Sequence, residues 1–119
     1  MPNPPFLKPT SISNAKIVEI GDYGTVTELT ISGTTPEVLC SEDETIRFAT
    51  LAVEDADVYV LVDNNTNVSA SPTNYNYKWS DGDTWTDYRL GKQRYTICTD
   101  NGLNAVVRAA IAHQEIIII

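Results

Sequence analysis

The sequence predicts an all-β domain, an antiparallel β-sandwich preceded by an extended N-terminal arm. Short runs rich in Val, Ile, Thr, Tyr and Trp follow one another from Ala15 onward, and clusters of Gly, Asp and Asn separate them. The stretch from Asp81 to Gly102 holds two turn signals, Asp81-Gly82 and Asn101-Gly102, with two strand-like runs between them joined at Leu90-Gly91. That is the pattern of consecutive antiparallel strands.

A chain of 119 residues is one domain, large enough to bury a core without disulfides or metals. Its 42% hydrophobic and 20% charged residues are ordinary for a globular domain. No apolar run approaches the roughly 20 residues that span a bilayer, so no membrane partner is expected. The 16 acidic and 8 basic side chains leave a net charge of −8, which repels phosphates and argues against a nucleic-acid surface.

Residues 1–14 read as a proline-rich extended arm. Four of the six prolines fall between Met1 and Thr10, where they fix φ and remove backbone donors, so neither a helix nor a central strand can form there. The same stretch has no cationic start and no apolar core of a secretion signal, and the expectation is a protein made in a cytoplasm. Residues 15–119 form the sandwich domain with a C-terminal apolar tail.

Within that domain Lys16–Ile20 reads as a strand ending at a turn, Gly21-Asp22-Tyr23-Gly24. Thr25–Ile31 follows with Thr27, Leu29 and Ile31 on one face. Glu37–Glu44 is a connection with an apolar patch, and Thr45–Val53 puts Ile46 and Phe48 on one side. Val58–Val62 is apolar on both faces, as in a strand covered on both sides. Asp63–Thr73 is polar and reads as a surface loop. Tyr75, Tyr77 and Trp79 alternate onto one face. From Trp85 the alternation conflicts with itself, because Trp85 shares a face with Asp87 while Tyr88 and Leu90 take the other; a bulge or break near Asp87 resolves this. Arg94–Thr99 places Tyr95 and Ile97 together. Phe48, Val60, Tyr95 and Ile97 form the expected core across the two sheets. Leu103–Ile119 fits an amphipathic helix by its Leu103, Val106, Val107, Ala110 and Ile111 spacing, and equally a strand with Val107, Ala109 and Ile111 inward, paired with Tyr95–Thr99. The turn before it and the isoleucine tail favour the strand.

These residues resemble the bacterial and phage immunoglobulin-like domains, seven-stranded sandwiches of surface and virion proteins. The resemblance rests on Leu29-Thr30-Ile31-Ser32-Gly33 with Pro36 beyond it, Gly82-Asp83-Thr84-Trp85-Thr86, Leu90-Gly91, Tyr95-Thr96-Ile97 and Thr99-Asp100-Asn101-Gly102. It spans roughly Lys16 to Ile111 and its motifs are structural, so it implies a fold and no activity. The arm, the isoleucine tail and the long 63–73 loop depart from the pattern, and Cys40 lies in a connection where an antibody-type disulfide needs a strand.

The leading functional expectation is a non-enzymatic virion structural protein, such as a capsid decoration protein of a tailed phage, from an Ig-like domain standing alone, a Met1 start without an export signal, an acidic exterior and two sticky ends. Its partners are then other virion proteins, a major capsid or tail protein, or further copies of itself. Docking falls to the sticky ends: Pro2, Pro4, Pro5, Phe6 and Leu7 in the arm, and Ile116, Ile117, Ile118 and Ile119 in the tail. The alternative is a carbohydrate- or surface-binding module using Tyr75, Tyr77, Trp79 and Trp85 as a platform for sugar rings, against the commoner fate of such rings in a core.

Catalytic chemistry has little to work with. The single histidine, His113, has no orienting group nearby in sequence, and nothing resembles a phosphate loop or a zinc spacing. Asp63, Asn65 and Asn67 imitate the start of a calcium loop but lack its glycine and terminal Glu, and Asp55, Asp57, Asp81, Asp83 and Asp87 read as turn residues. No catalytic, metal or cofactor residue is assigned. Cys40 and Cys98 read as two unpaired thiols, and the sequons at Asn64 and Asn67 mean little without a secretion signal.

Overall fold

The computed structural model describes the backbone of residues 16–118 and the side chains of residues 19–116. The proline-rich arm, with Pro2, Pro4, Pro5, Phe6 and Leu7, lies outside the described residues, as do Ile119 and the side chains of Ile117 and Ile118.

Among the described residues nine strands run in order: β1 (Lys16–Ile20), β2 (Thr27–Ser32), β3 (Glu37–Cys40), β4 (Arg47–Glu54), β5 (Val58–Val62), β6 (Tyr77–Trp79), β7 (Thr84–Gly91), β8 (Tyr95–Cys98) and β9 (Asn104–Ile118). They form two antiparallel sheets. In one, β9 has β4 on one edge, with β7 beyond it, and both β2 and β1 on the other edge; the second sheet has the order β3-β8-β5-β6. The all-β antiparallel sandwich predicted from the sequence is the architecture that forms.

The strand order is not the immunoglobulin one, in which an A-B-E-D sheet faces a C-F-G sheet. From β2 onward every connection except β5 to β6 crosses between the sheets, giving the orders 2-9-4-7 and 3-8-5-6. This is the double Greek-key order of an eight-stranded jelly roll, with β1 added. The reason is visible at the turns. Asn101-Gly102 does turn the chain, with Gly102 at φ 83° and Leu103 N donating to Asp100 O at 3.0 Å. It does not close a hairpin, however, because Gly33 sits between its two arms: Thr99 N donates to Gly33 O (2.9 Å) and Gly33 N donates to Leu103 O (2.8 Å). The β2–β3 and β8–β9 crossings are thereby laced together, and β9 pairs with β1, β2 and β4 instead of with Tyr95–Thr99.

Gly21–Gly24 is likewise not a reversal. β1 and β2 both run antiparallel to β9 along the same edge, and the link between them stays bonded to it through Gly21 N to His113 O (2.9 Å) and Gly24 N to Ile111 O (3.0 Å). A Cβ at Gly21 would sit 2.9 Å from that carbonyl, so the close approach requires glycine.

The core lies between the sheets. Ile31, Ala49, Leu51, Val53, Val58, Val60, Ile97, Ala105 and Val107 are essentially inaccessible and belong to one apolar cluster, with Tyr95 and Trp79 in it. Val60, Tyr95 and Ile97 are where the alternation puts them; Phe48 is not. β4 buries Arg47, Ala49, Leu51 and Val53 on its inner face, which leaves Ile46 and Phe48 together on the outer one, half-buried. The odd-numbered set wins because three of its four members are apolar and compact enough for the interior, a period-2 choice that one large aromatic cannot overrule.

The segment 103–118 is strand throughout, with Ala105, Val107 and Ala109 inward. The 63–73 loop keeps its polar surface but also covers the outer face of β5 and β8. Val68 and Ala70 pack on Tyr59, Leu61 and Cys98, Ala70 N donates to Thr96 Oγ1, and the buried Arg94 guanidinium donates to the carbonyls of Asn65 and Val68. That is how β5 comes to be covered on both sides.

Candidate functional surfaces

β9 outruns the sandwich. β4 accompanies it from Val106 to His113, and the last contact on that side is Gln114 N to Ile46 O at 2.8 Å. Beyond this, Gln114–Ile118 pairs only with β1, in the register Lys16↔Ile118 to Ile20↔Gln114. The result is a two-stranded ribbon whose β9 edge, like the outer edge of β1, has no partner among the described residues, with Ile116 54% exposed. Three other sheet edges are blunted, since β3 has four residues and a register shift, β6 has three, and β7 carries a bulge; β1 and β2, on the far edge of β9, are regular and short, with five and six residues. Of the docking residues predicted from the sequence, the described ones therefore sit together at the tip of this ribbon.

The bulge in β7 lies where the sequence pattern demands it. The register with β4 shifts between Ala49↔Tyr88 and Leu51↔Trp85, and Asp87 takes φ 56°. Trp85 and Tyr88 consequently both face inward, despite their odd separation, and with Trp79 they make a three-ring cluster with centroids 5.1 to 5.6 Å apart. The cluster closes the side of the sandwich where β6 and β7 face each other. This divides the four aromatic residues considered as a sugar platform. Trp79 is 4% exposed and Trp85 packs against the core, whereas Tyr75 and Tyr77 are 44% and 49% exposed. Tyr75 stacks on Tyr59 at the outer face (centroids 4.8 Å apart), so it and Trp79 lie on opposite faces of the sheet.

The titratable groups of the described residues make local structural contacts. His113 does have a neighbour that the sequence conceals, since its Nδ1 lies 2.8 Å from Thr45 Oγ1, which itself donates to Asp43 Oδ1 at 2.8 Å. With the threonine proton directed at the carboxylate, the imidazole donates to the hydroxyl and does not act as its base. Donation from Thr45 N and Oγ1 holds the Asp43 carboxyl below its usual range, and the trio pins the 41–46 loop onto β9. Cys40 and Cys98 are unpaired and buried on opposite faces of their sheet; burial pushes both thiols up, toward the protonated form. Among the described residues no group of three or more His, Cys, Asp or Glu side chains is placed to hold a metal ion. Asp57, Asp81 and Asp83 spend oxygens on the turn backbones at 81, 55 and 80, as turn aspartates do.

The surface of the described residues has openings, of which two bear on function. One, of about 270 Å³, is an apolar cleft between the sheets walled by Leu29, Val38, Leu39, Ala109 and Ile111. The other, of about 460 Å³, lies at the β7–β8 turn and includes Tyr77, Arg89, Lys92 and Tyr95. Neither is legible from the sequence, because each joins residues from strands that meet only after the sheets pack.

No family model matches the chain, and no curated protein or solved structure matches it.

Proposed function

We propose that this chain is a non-enzymatic structural protein of a virus particle, a capsid decoration or accessory protein, which docks on other virion proteins through the ends of its chain. The observation that supports this is the β1/β9 ribbon. It projects past the end of β4, exposes Ile116 and, among the described residues, leaves the backbone donors and acceptors of one β9 edge unpaired. Such an edge accepts an added strand from another subunit, and apolar side chains beside it contribute affinity. Jelly rolls serve both capsid and lectin domains, so the fold supports the assignment by analogy only.

The test is co-sedimentation of the purified protein with undecorated particles. Ile116→Lys places a charge on the ribbon without touching the core, and should abolish co-sedimentation while leaving the melting temperature unchanged. Unimpaired binding of this variant would remove the ribbon from the interface.

A further inference from the structure

The opening at the β7–β8 turn gathers two cations that, among the described residues, no carboxylate neutralises. Arg47 and Arg94 are buried and donate to backbone carbonyls. Lys78 lies 3.9 Å from Asp57, and Arg108 is paired with both Glu28 and Glu54. Among the described residues with placed side chains this leaves Arg89 and Lys92 with no carboxylate at ion-pair distance. Both are exposed, and both line the same groove, although the chain as a whole carries −8. The Arg47 guanidinium lies beneath them, bonded to the carbonyls of Gly91 and Gln93 in the groove wall. On the adjoining loop, Asp43 already accepts two hydrogen bonds from Thr45.

A second feature points the same way. Tyr95, 5% exposed, forms part of the wall, and among the described residues its hydroxyl has no hydrogen-bond partner. A buried donor left unmade costs about 1–3 kcal/mol, so such a group is retained where something polar enters. Tyr77, in the same wall, shows half its surface and can offer a ring face. The neighbouring wall residue Ile46 is apolar.

We infer that this groove binds an acidic saccharide, a pyranose ring bearing a carboxylate: Arg89 and Lys92 hold the carboxylate, Tyr77 covers the C–H face of the ring, and the Tyr95 hydroxyl meets a ring hydroxyl. A guanidinium fork matches a carboxylate in two parallel hydrogen bonds. A single negative charge suits two hydrated cations on an acidic protein, whereas a phosphate dianion is more strongly repelled by the surrounding charge. At physiological ionic strength the distant acids are screened beyond about 8 Å, so the local pair dominates. This site borders the base of the β1/β9 ribbon through Ile46, whose carbonyl accepts from Gln114 N, but it uses none of the residues of the docking proposal.

Amide chemical shifts of the full-length protein, titrated at constant ionic strength with sodium glucuronate, glucose, sodium sulfate and adenosine monophosphate, test it. Glucuronate should give saturable shifts confined to Tyr77 and residues 89–95, with glucose at least about tenfold weaker. Arg89→Ala and Lys92→Ala should each weaken glucuronate about tenfold, the loss of one charged hydrogen bond, with unchanged melting temperatures because both side chains are exposed. Tyr77→Ala should weaken it severalfold. The proposal is overturned if glucuronate gives no saturable shift, if sulfate or the nucleotide binds as tightly, or if Arg89→Ala and Lys92→Ala bind like the wild type.

Discussion

The Tyr23 hydroxyl donates a hydrogen bond to the Asp87 carboxylate, joining the β1–β2 link to the bulge of β7 across the outer face of β9 and β4. Tyr23 also contacts Thr50 on the way, and Thr50 pairs with Ala110. Ala110 and Ala112 lie on this outer face yet are 7% and 0% exposed. Small side chains there leave room for the tyrosine to cross and for Phe48, opposite Ala112, to fold down. The left-handed backbone at Asp87 thus has a use, in that the bulge turns a carboxylate outward to receive the hydroxyl.

Tyr23→Phe should therefore destabilise the fold by about 1 kcal/mol, the net value of one hydrogen bond. Asp87→Ala should cost a similar amount, and the double variant no more than either alone. Urea unfolding of the four proteins measures the coupling; strict additivity would show that the bond contributes nothing.

The inner face of β4 should dominate stability. Leu51→Ala is expected to cost about 2–5 kcal/mol, whereas Phe48→Ala, on the half-buried outer face, should cost less in spite of its larger side chain. A larger loss at Phe48 than at Leu51 would contradict the register described for β4 and β9.

Alkaline pH should weaken the fold. Burial raises the Tyr23, Tyr88 and Tyr95 phenols above the ordinary value of 10.0, and the hydrogen bond to Asp100 raises Tyr59. With folded values above unfolded ones, the stabilisation from these phenols is complete below pH 10 and is lost as pH rises from there through the folded values, because the unfolded chain releases its protons first. Melting temperatures between pH 8 and 12 should begin to fall near pH 9, where the unfolded chain first releases the protons of Cys40 and Cys98, and fall further beyond pH 10. Tyr95→Phe should flatten that fall and raise stability at pH 7 by about 1–3 kcal/mol, since among the described residues the hydroxyl it removes has no partner.

The arm offers a separate check on docking. Deleting Met1–Lys8 should leave the melting temperature of the isolated domain almost unchanged and weaken its incorporation into particles, since a proline-rich segment loses little entropy on docking. Normal incorporation of the truncated protein, or outright unfolding, would falsify this role for the arm.

What the sequence determined by itself is what depends on near neighbours along the chain. The side-chain period of two placed most strands, marked β5 as covered on both faces and exposed the conflict at Trp85 and Tyr88 that the Asp87 bulge resolves. Pairing is a different matter. A glycine turn such as Asn101-Gly102 reverses the chain equally well within one sheet or between two, and only the hydrogen bonds through Gly33 send β8 and β9 into opposite sheets. The face of β4 that turns inward, the ribbon left when β4 ends before β9, and the meeting of Arg89, Lys92, Tyr77 and Tyr95 were decided by tertiary structure. Each depends on which distant strands share hydrogen bonds and buried area, and no local alternation encodes that.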